Sequence, residues 1–259
     1  MKKITTLFFL IVSVHFIQSA AAQKREFYQI RIYTISSAEQ EKTVDDFLKN
    51  AYLPALHRTG INTIGVFKPI ENDTTYFGKR IYVLFPLTSL DQSVSLESAL
   101  TKDKVFQSAG KNYLEAPYDK LPYDRLQSIL LQAFSGMPVL EKPSFTTPKT
   151  ERIFELRSYE SHTEKIGKNK IHMFNEGDEI GLFKRLGFNA VFYGDVIAGS
   201  RMPNLMYMTS FSNIEARNEH WKAFVADPQW KTLSSMPEYQ HNVSKIEVFL
   251  LHPTDYSDL

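Results

Sequence analysis

The chain contains no cysteine. That excludes disulfides, thiol chemistry and a lipid-modified N-terminal cysteine. It also lacks an excess of charge: 30 Lys and Arg stand against 29 Asp and Glu, a net charge of +1. A chain so balanced has no basic surplus to drive binding to nucleic acid or to an anionic membrane surface. There is no GxSxG elbow, no phosphate-binding glycine loop and no GxGxxG. Hydrolase, nucleotide-binding and dehydrogenase classes lose their usual signals with them. The apolar run Ile4–Ile17 is too short for a comfortable membrane span.

What the chain does have is aromatic bulk, with 19 Phe and 13 Tyr in 259 residues. Cores and pockets built from it will be aromatic-rich. Lys2 and Lys3 precede the apolar run, and Ser19-Ala20-Ala21-Ala22-Gln23 follows it. A charged start, a short apolar stretch and a small-residue site make a secretory signal peptide over 1–22, cut after Ala22. The expectation is an exported protein, periplasmic or secreted, with no stable membrane anchor after cleavage.

From residue 23 the pattern repeats itself. A strand at Glu26–Tyr33 leads into Ser36-Ser37-Ala38-Glu39-Gln40, which has the form of a capping box. The helix that follows places Val44, Phe47, Leu48, Ala51 and Ala55 at helical spacing and ends at Gly60. Strands at 61–69 and Arg80–Pro86, a helix over Leu90–Ser108, a loop at Gly110–Tyr123 and a strand at Leu126–Phe134 complete the half. Ser135–Thr150 carries three prolines and reads as a linker, 135–150. The second half then runs the same course. Arg152–Tyr159 answers Glu26–Tyr33, with Arg157 matching Arg31 and Tyr159 matching Tyr33. Gly187 answers Gly60, and Asp227-Pro228-Gln229-Trp230 answers Asp103-Lys104-Val105-Phe106. Ser212-Asn213-Ile214-Glu215 reads as a capping box. Strands are expected at Asn189–Asp195, Leu205–Phe211 and Val243–Leu251. The expected fold class is α+β: two tandem ferredoxin-like units, β-α-β-β-α-β, over 23–134 and 151–259.

Such a unit covers one sheet face with helices and leaves the other bare, so two units can bury their bare faces together. The period of two groups Phe154 with Leu156, and Ile30 with Ile32; these are expected toward the helices. Glu155, Arg157 and Tyr159, with Gln29, Arg31 and Tyr33, are then expected between the sheets. A polar and aromatic lining there points to a cavity for a small, partly apolar molecule. Glu155, Arg157, Tyr159, Arg31 and Tyr33 are the candidate ligand-binding residues. His162, at a strand end, and Tyr207 are the candidates to handle a proton. The plain alternatives are intersheet ion pairs for the first group and a helix-entry role for His162.

In the second half's first helix, His172, Asn175, Glu176 and Glu179 fall on one face. His172 and Glu176 could share a divalent metal, but no second such pair exists to complete a site. Gly177 and Gly181 suit close helix packing better. Trp221, Phe224 and Trp230 read as core, and no motif singles out haem, although His220 or His172 could serve as a ligand.

Met173–Asp195, Arg201–Phe211, Arg217, Trp221, Phe224, Asp227-Pro228-Gln229-Trp230, Pro237-Glu238-Tyr239 and the opening Glu155-Leu156-Arg157-Ser158-Tyr159 resemble the NIPSNAP family. The resemblance covers 151–251. The first half looks like a divergent copy that keeps Arg31, Tyr33 and Gly60. It implies a dimeric α/β-barrel arrangement of ferredoxin-like units, a group that includes small monooxygenases, haem-degrading enzymes and isomerases. It transfers no catalytic residue set. The expectation is therefore a small-molecule binding protein with no required cofactor. A non-catalytic, homo-oligomeric interaction module is the second reading, and a haem-binding or monooxygenase-like barrel the third.

Overall fold

The computed structural model describes residues 24–259 apart from Asn72 and Thr74, so the leader expected at 1–22 lies outside the described residues. Eight strands form one closed, antiparallel barrel. They are β1 (Phe27–Thr34), β2 (Gly65–Pro69), β3 (Arg80–Leu87), β4 (Arg125–Ala133), β5 (Ile153–Glu160), β6 (Asn189–Ala198), β7 (Asn204–Phe211) and β8 (Lys245–Pro253). The first four are hydrogen-bonded in the order β4-β1-β3-β2 and the last four in the order β8-β5-β7-β6. The strand edges this leaves are joined by pairing β2 with β8 and β4 with β6. Closure satisfies backbone groups that an open edge would present to water or to another chain.

The helices lie outside the barrel. In the first half they are α1 (Ala38–Phe47), α2 (Leu53–Arg58), α3 (Leu90–Lys102), α4 (Lys104–Ala109) and α5 (Lys111–Leu114). In the second they are α6 (Glu164–Asn175), α7 (Glu179–Arg185), α8 (Ile214–Ala226) and α9 (Pro228–Ser235). Local chemistry sets their ends. Ser37 accepts from the Gln40 amide, and the Gln40 side chain accepts in return from the Ser36 amide. The helix expected over Leu90–Ser108 is broken at Asp103, which closes α3 and caps α4 through the Val105 and Phe106 amides. Asp227 does the same for α9. The capping residue of α8 is Asn213 rather than Ser212, accepting from Ala216 N at 2.8 Å. The loop expected at Gly110–Tyr123 contains the short α5.

The barrel corrects the expected sheet faces. Ile30, Ile32, Phe154 and Leu156 point inside, where they pack with residues from both halves such as Phe67, Leu84, Phe192 and Met208. An eight-stranded barrel is just wide enough for side chains to fill. Glu155, Arg157, Tyr159, Arg31 and Tyr33 point outward, under the helices. The two sheets are joined at their edges and do not stack, so among the described residues the cavity expected between stacked sheets is not formed. At the mouth of the barrel there is a recess of about 30 Å³, room for roughly one water. Strands β3, β5 and β7 are thus mostly buried on both faces, whereas β4 and β8 keep several exposed positions.

Candidate functional site

Under the helices of the second half, between β5–β7 and α6–α9, is a partly open cavity of about 450 Å³. Its floor is Arg157 and Tyr159 from β5 and Tyr207 from β7. Arg157 and Tyr207 are directly opposed across the ladder. Its walls include Phe183 from α7, Trp221 and Phe224 from α8, and Trp230 from α9. Both tryptophans of the chain line it.

Glu155, wholly buried, anchors the floor. It accepts from Arg157 Nε at 2.6 Å, from Arg217 Nε at 2.7 Å and Nη2 at 3.2 Å, and from Trp221 Nε1 at 2.7 Å. Arg217 and Trp221 reach it together because they stand four apart on one face of α8. Two guanidiniums on one carboxylate leave one positive charge over. Arg157 Nη1 donates to the Tyr159 hydroxyl at 3.0 Å, and the Tyr159 and Tyr207 hydroxyls are 3.0 Å apart. The Arg157 guanidinium lies over the Trp221 ring at 3.8 Å. Burial works against its charge, but Tyr207, Tyr159 and Glu155 outweigh that and hold it above its ordinary range. Burial pushes the Tyr207 phenol well above the usual value. At neutral pH it is a neutral hydrogen-bonding group and not a base.

A second buried pair sits in the opposite wall. Lys170 Nζ donates to Glu179 Oε2 at 2.8 Å and lies 4.7 Å from the Phe174 ring centroid. The helix expected to carry His172, Asn175, Glu176 and Glu179 on one face is interrupted. Gly177 and Asp178 separate α6 from α7, and Asp178 takes a left-handed conformation at φ 61°. His172 and Glu176 are exposed, and His172 Nδ1 is 2.9 Å from the Tyr239 hydroxyl. Asn175 holds the chain after β4, accepting from Gly136 N at 2.7 Å. Among the described residues no group of three potential metal ligands is brought together.

His162 is exposed just before α6, does not line the cavity, and leaves the capping of that helix to Thr163. Sequence reasoning missed Arg217 as a partner of Glu155, and Lys170 as a partner of Glu179. The first had a signal: an arginine on the same helical stripe as Trp221 and Phe224. In the first half, Arg31 and Tyr33 lie at the matching place, but Tyr52 fills it and accepts from Arg31 Nη1 at 3.0 Å.

The chain matches solved folds over most of its length. A provisionally assigned monooxygenase from Lactobacillus acidophilus aligns with TM-score 0.55 at 13% identity, over 88% of this chain and 94% of its own. One from Fusobacterium nucleatum aligns with TM-score 0.57 at 7% identity, over 89% and 93%. A NIPSNAP family protein from Agrobacterium tumefaciens aligns with 42% of this chain and 98% of its own, at 23% identity and TM-score 0.36. No curated protein matches the chain. Residues 154–258 match the family model NIPSNAP, which begins at the buried strand β5 and takes in the whole cavity lining. The second half of this protein therefore carries a NIPSNAP domain match, over residues 154–258.

Proposed function

We propose that the protein binds a small, flat, partly apolar molecule in the cavity between β5–β7 and α6–α9, and that Arg157 receives an anionic or carbonyl group of that molecule. One observation carries this reading. Arg157 is held by Glu155 and Tyr159, stacked on Trp221, and placed at the floor of an aromatic cavity with one positive charge in excess. Rigid polar groups in an apolar recess of this size are the usual makeup of a small-molecule site. The Tyr159 and Tyr207 hydroxyls share one hydrogen bond, and the proton left over would be donated to the same group. The cavity replaces the intersheet location expected from sequence. Within this reading the two halves are tandem ferredoxin-like units closing one barrel in a dimer-like manner, and the 1–22 leader directs export.

Haem fits the residues poorly. No histidine is among those lining the cavity, and His220 Nδ1 is occupied at 2.7 Å by the Leu186 carbonyl. The interaction-module reading has one observation in its favour, the exposure of Val225, Ile246 and Val248 beside the cavity mouth.

The test uses both tryptophans as reporters. Naphthalene-2-carboxylate is titrated while tryptophan emission is followed, with Arg157→Gln as the comparison. Saturable quenching, weakened roughly tenfold or more by the substitution, is expected for loss of a charge-assisted pair. Equal affinity in the two proteins would remove Arg157 from the site. Native mass spectrometry of the purified chain would identify a retained ligand.

A further inference from the structure

Arg31 and Tyr33 on β1 match Arg157 and Tyr159 on β5, but the strand beside them differs between the halves. On β4, Ser128 lies opposite Arg31 and Leu126 opposite Tyr33. On β8, Val248 lies opposite Arg157 and Ile246 opposite Tyr159. The first half covers its apolar member. The chain between α4 and β4 brings Tyr113 and Tyr123 onto Tyr33, with ring centroids 6.4 and 5.5 Å away, and Leu126 packs on the same core cluster. The connection between α9 and β8 is shorter and sends Tyr239 to Met173 and Leu233 instead. Ile246 and Val248 are left 52% and 38% exposed. Among the described residues the aromatic ring packed on Tyr159 is that of Tyr207, itself part of the cavity floor.

The bare strip is continuous with the second-half cavity. Ile246 of β8 and Val225 of α8 both line the cavity and are exposed, so they stand at its mouth. Inside, Arg157 Nε and Nη1 are taken by Glu155 and the Tyr159 hydroxyl, while Nη2 makes no hydrogen bond among the described residues and is not buried. A free charged donor within and an apolar strip leading out suit one molecule with both characters. We propose that the cavity's ligand is an amphiphile, with a flat anionic head on Arg157 and an unbranched alkyl chain that leaves through the mouth along Ile246 and Val248. This rests on the function proposed above for the same cavity. The chain takes the place over β8 that Tyr113 and Tyr123 hold in the first half. Two residues of strand extend about 7 Å, which an alkyl chain of roughly six carbons spans.

The experiment follows tryptophan emission as the full chain is titrated with naphthalene-2-carboxylate and, separately, with its 6-butyl and 6-hexyl derivatives. A chain lying on an open strip sheds about half its surface, so affinity should rise roughly twofold for each methylene added. The double variant Ile246→Thr, Val248→Thr keeps β-branched residues on the strand. It should flatten that rise, read within each protein as the ratio of hexyl to parent affinity. If it fails to fold, Val248→Thr alone gives the same comparison at an exposed position. Alkyl derivatives that bind no tighter than the parent, or a ratio unchanged in the variants, would overturn the proposal and leave the cavity reading standing. A parent probe that does not bind would overturn both. Sedimentation tests the other occupants: a dimer of the native chain, or its binding to phosphatidylglycerol vesicles, that the double variant abolishes would give the strip to a second copy or to a membrane and overturn the proposal.

Discussion

The Trp221 indole donates to the same carboxylate that binds the guanidinium stacked on its ring. Trp221 Nε1 is 2.7 Å from Glu155 Oε2, Arg157 Nε is 2.6 Å from Glu155 Oε1, and the Arg157 guanidinium is 3.8 Å from the indole centroid. Glu155 therefore holds strand, helix and cavity floor together. Glu155→Leu would strand two guanidiniums without their acceptor. Breaking a buried pair from one side costs about 3–5 kcal/mol. The chemical-denaturation midpoint of this variant should fall accordingly, and a loss under 1 kcal/mol would show that water replaces the carboxylate.

Lys170 and Glu179 form a pair that is buried at both ends, with side chains 5% and 3% exposed. Each single change, Lys170→Met or Glu179→Leu, should cost about 3–5 kcal/mol, since each leaves a buried charge alone. The double variant should recover most of that loss, because matched apolar replacements of buried pairs are often near neutral. Equilibrium unfolding of the four proteins in a double-mutant cycle measures the coupling, and additive losses would contradict the pairing.

These two pairs mark where sequence stopped being informative. Alternation along β5 grouped Glu155, Arg157 and Tyr159 correctly on one face. It could not say which face, because barrel interior and helix layer bury the strand on both sides, and the usual rule of polar-out fails. The apolar neighbours Phe154 and Leu156 would have suited either side. Lys170 and Glu179 are nine residues apart across a helix break, so helical spacing could not join them. Arg217 reaches Glu155 across 62 positions, a pairing created by α8 packing over the β5–β7 ladder. Caps, by contrast, were legible at Ser37 because their partners are three residues away.

Alkaline pH should unfold this protein early. Burial raises the phenols of Tyr207 and Tyr193 well above their ordinary value, and Tyr82 to about 12. A group with a raised folded pKa favours folding while both states are protonated. The stabilisation is therefore complete below the unfolded tyrosine value of about 10 and is lost as pH rises beyond it. Urea midpoints should be flat from neutrality to about pH 9.5 and fall steeply above pH 10. Tyrosinate absorbance should appear together with unfolding; gradual titration of the folded protein would argue against these burials.

Gly177 sits where α6 meets α9. A Cβ there would lie 2.5 Å from the Met173 carbonyl oxygen and 3.0 Å from Leu233 Cδ1. The first contact is with backbone and cannot turn aside. Gly177→Ala should destabilise by about 1–3 kcal/mol, the cost of overpacking, against an Ala gain of up to about 1 kcal/mol were the site an ordinary helix interior. A stabilised variant, read by thermal melting, would show that the two helices shift apart freely.

The two tryptophans offer a controlled comparison inside one cavity. Trp230 packs against Phe224 with centroids 4.4 Å apart and the rings tilted by 37°, and its indole nitrogen makes none of the hydrogen bonds that tie Trp221 to Glu155. Trp230→Phe removes area alone and should cost under about 1.5 kcal/mol. Trp221→Phe removes similar area, a hydrogen bond to a charged group worth about 1.5–3 kcal/mol, and the better cation–π face beneath Arg157. Its loss should exceed that of Trp230→Phe by at least about 1 kcal/mol. Probe affinity should separate further, because freeing Arg157 from its stack blurs the position of the positive charge. Denaturation and naphthalene-2-carboxylate titration of the two single-tryptophan proteins decide this, and equal losses in both would reduce Trp221 to a wall.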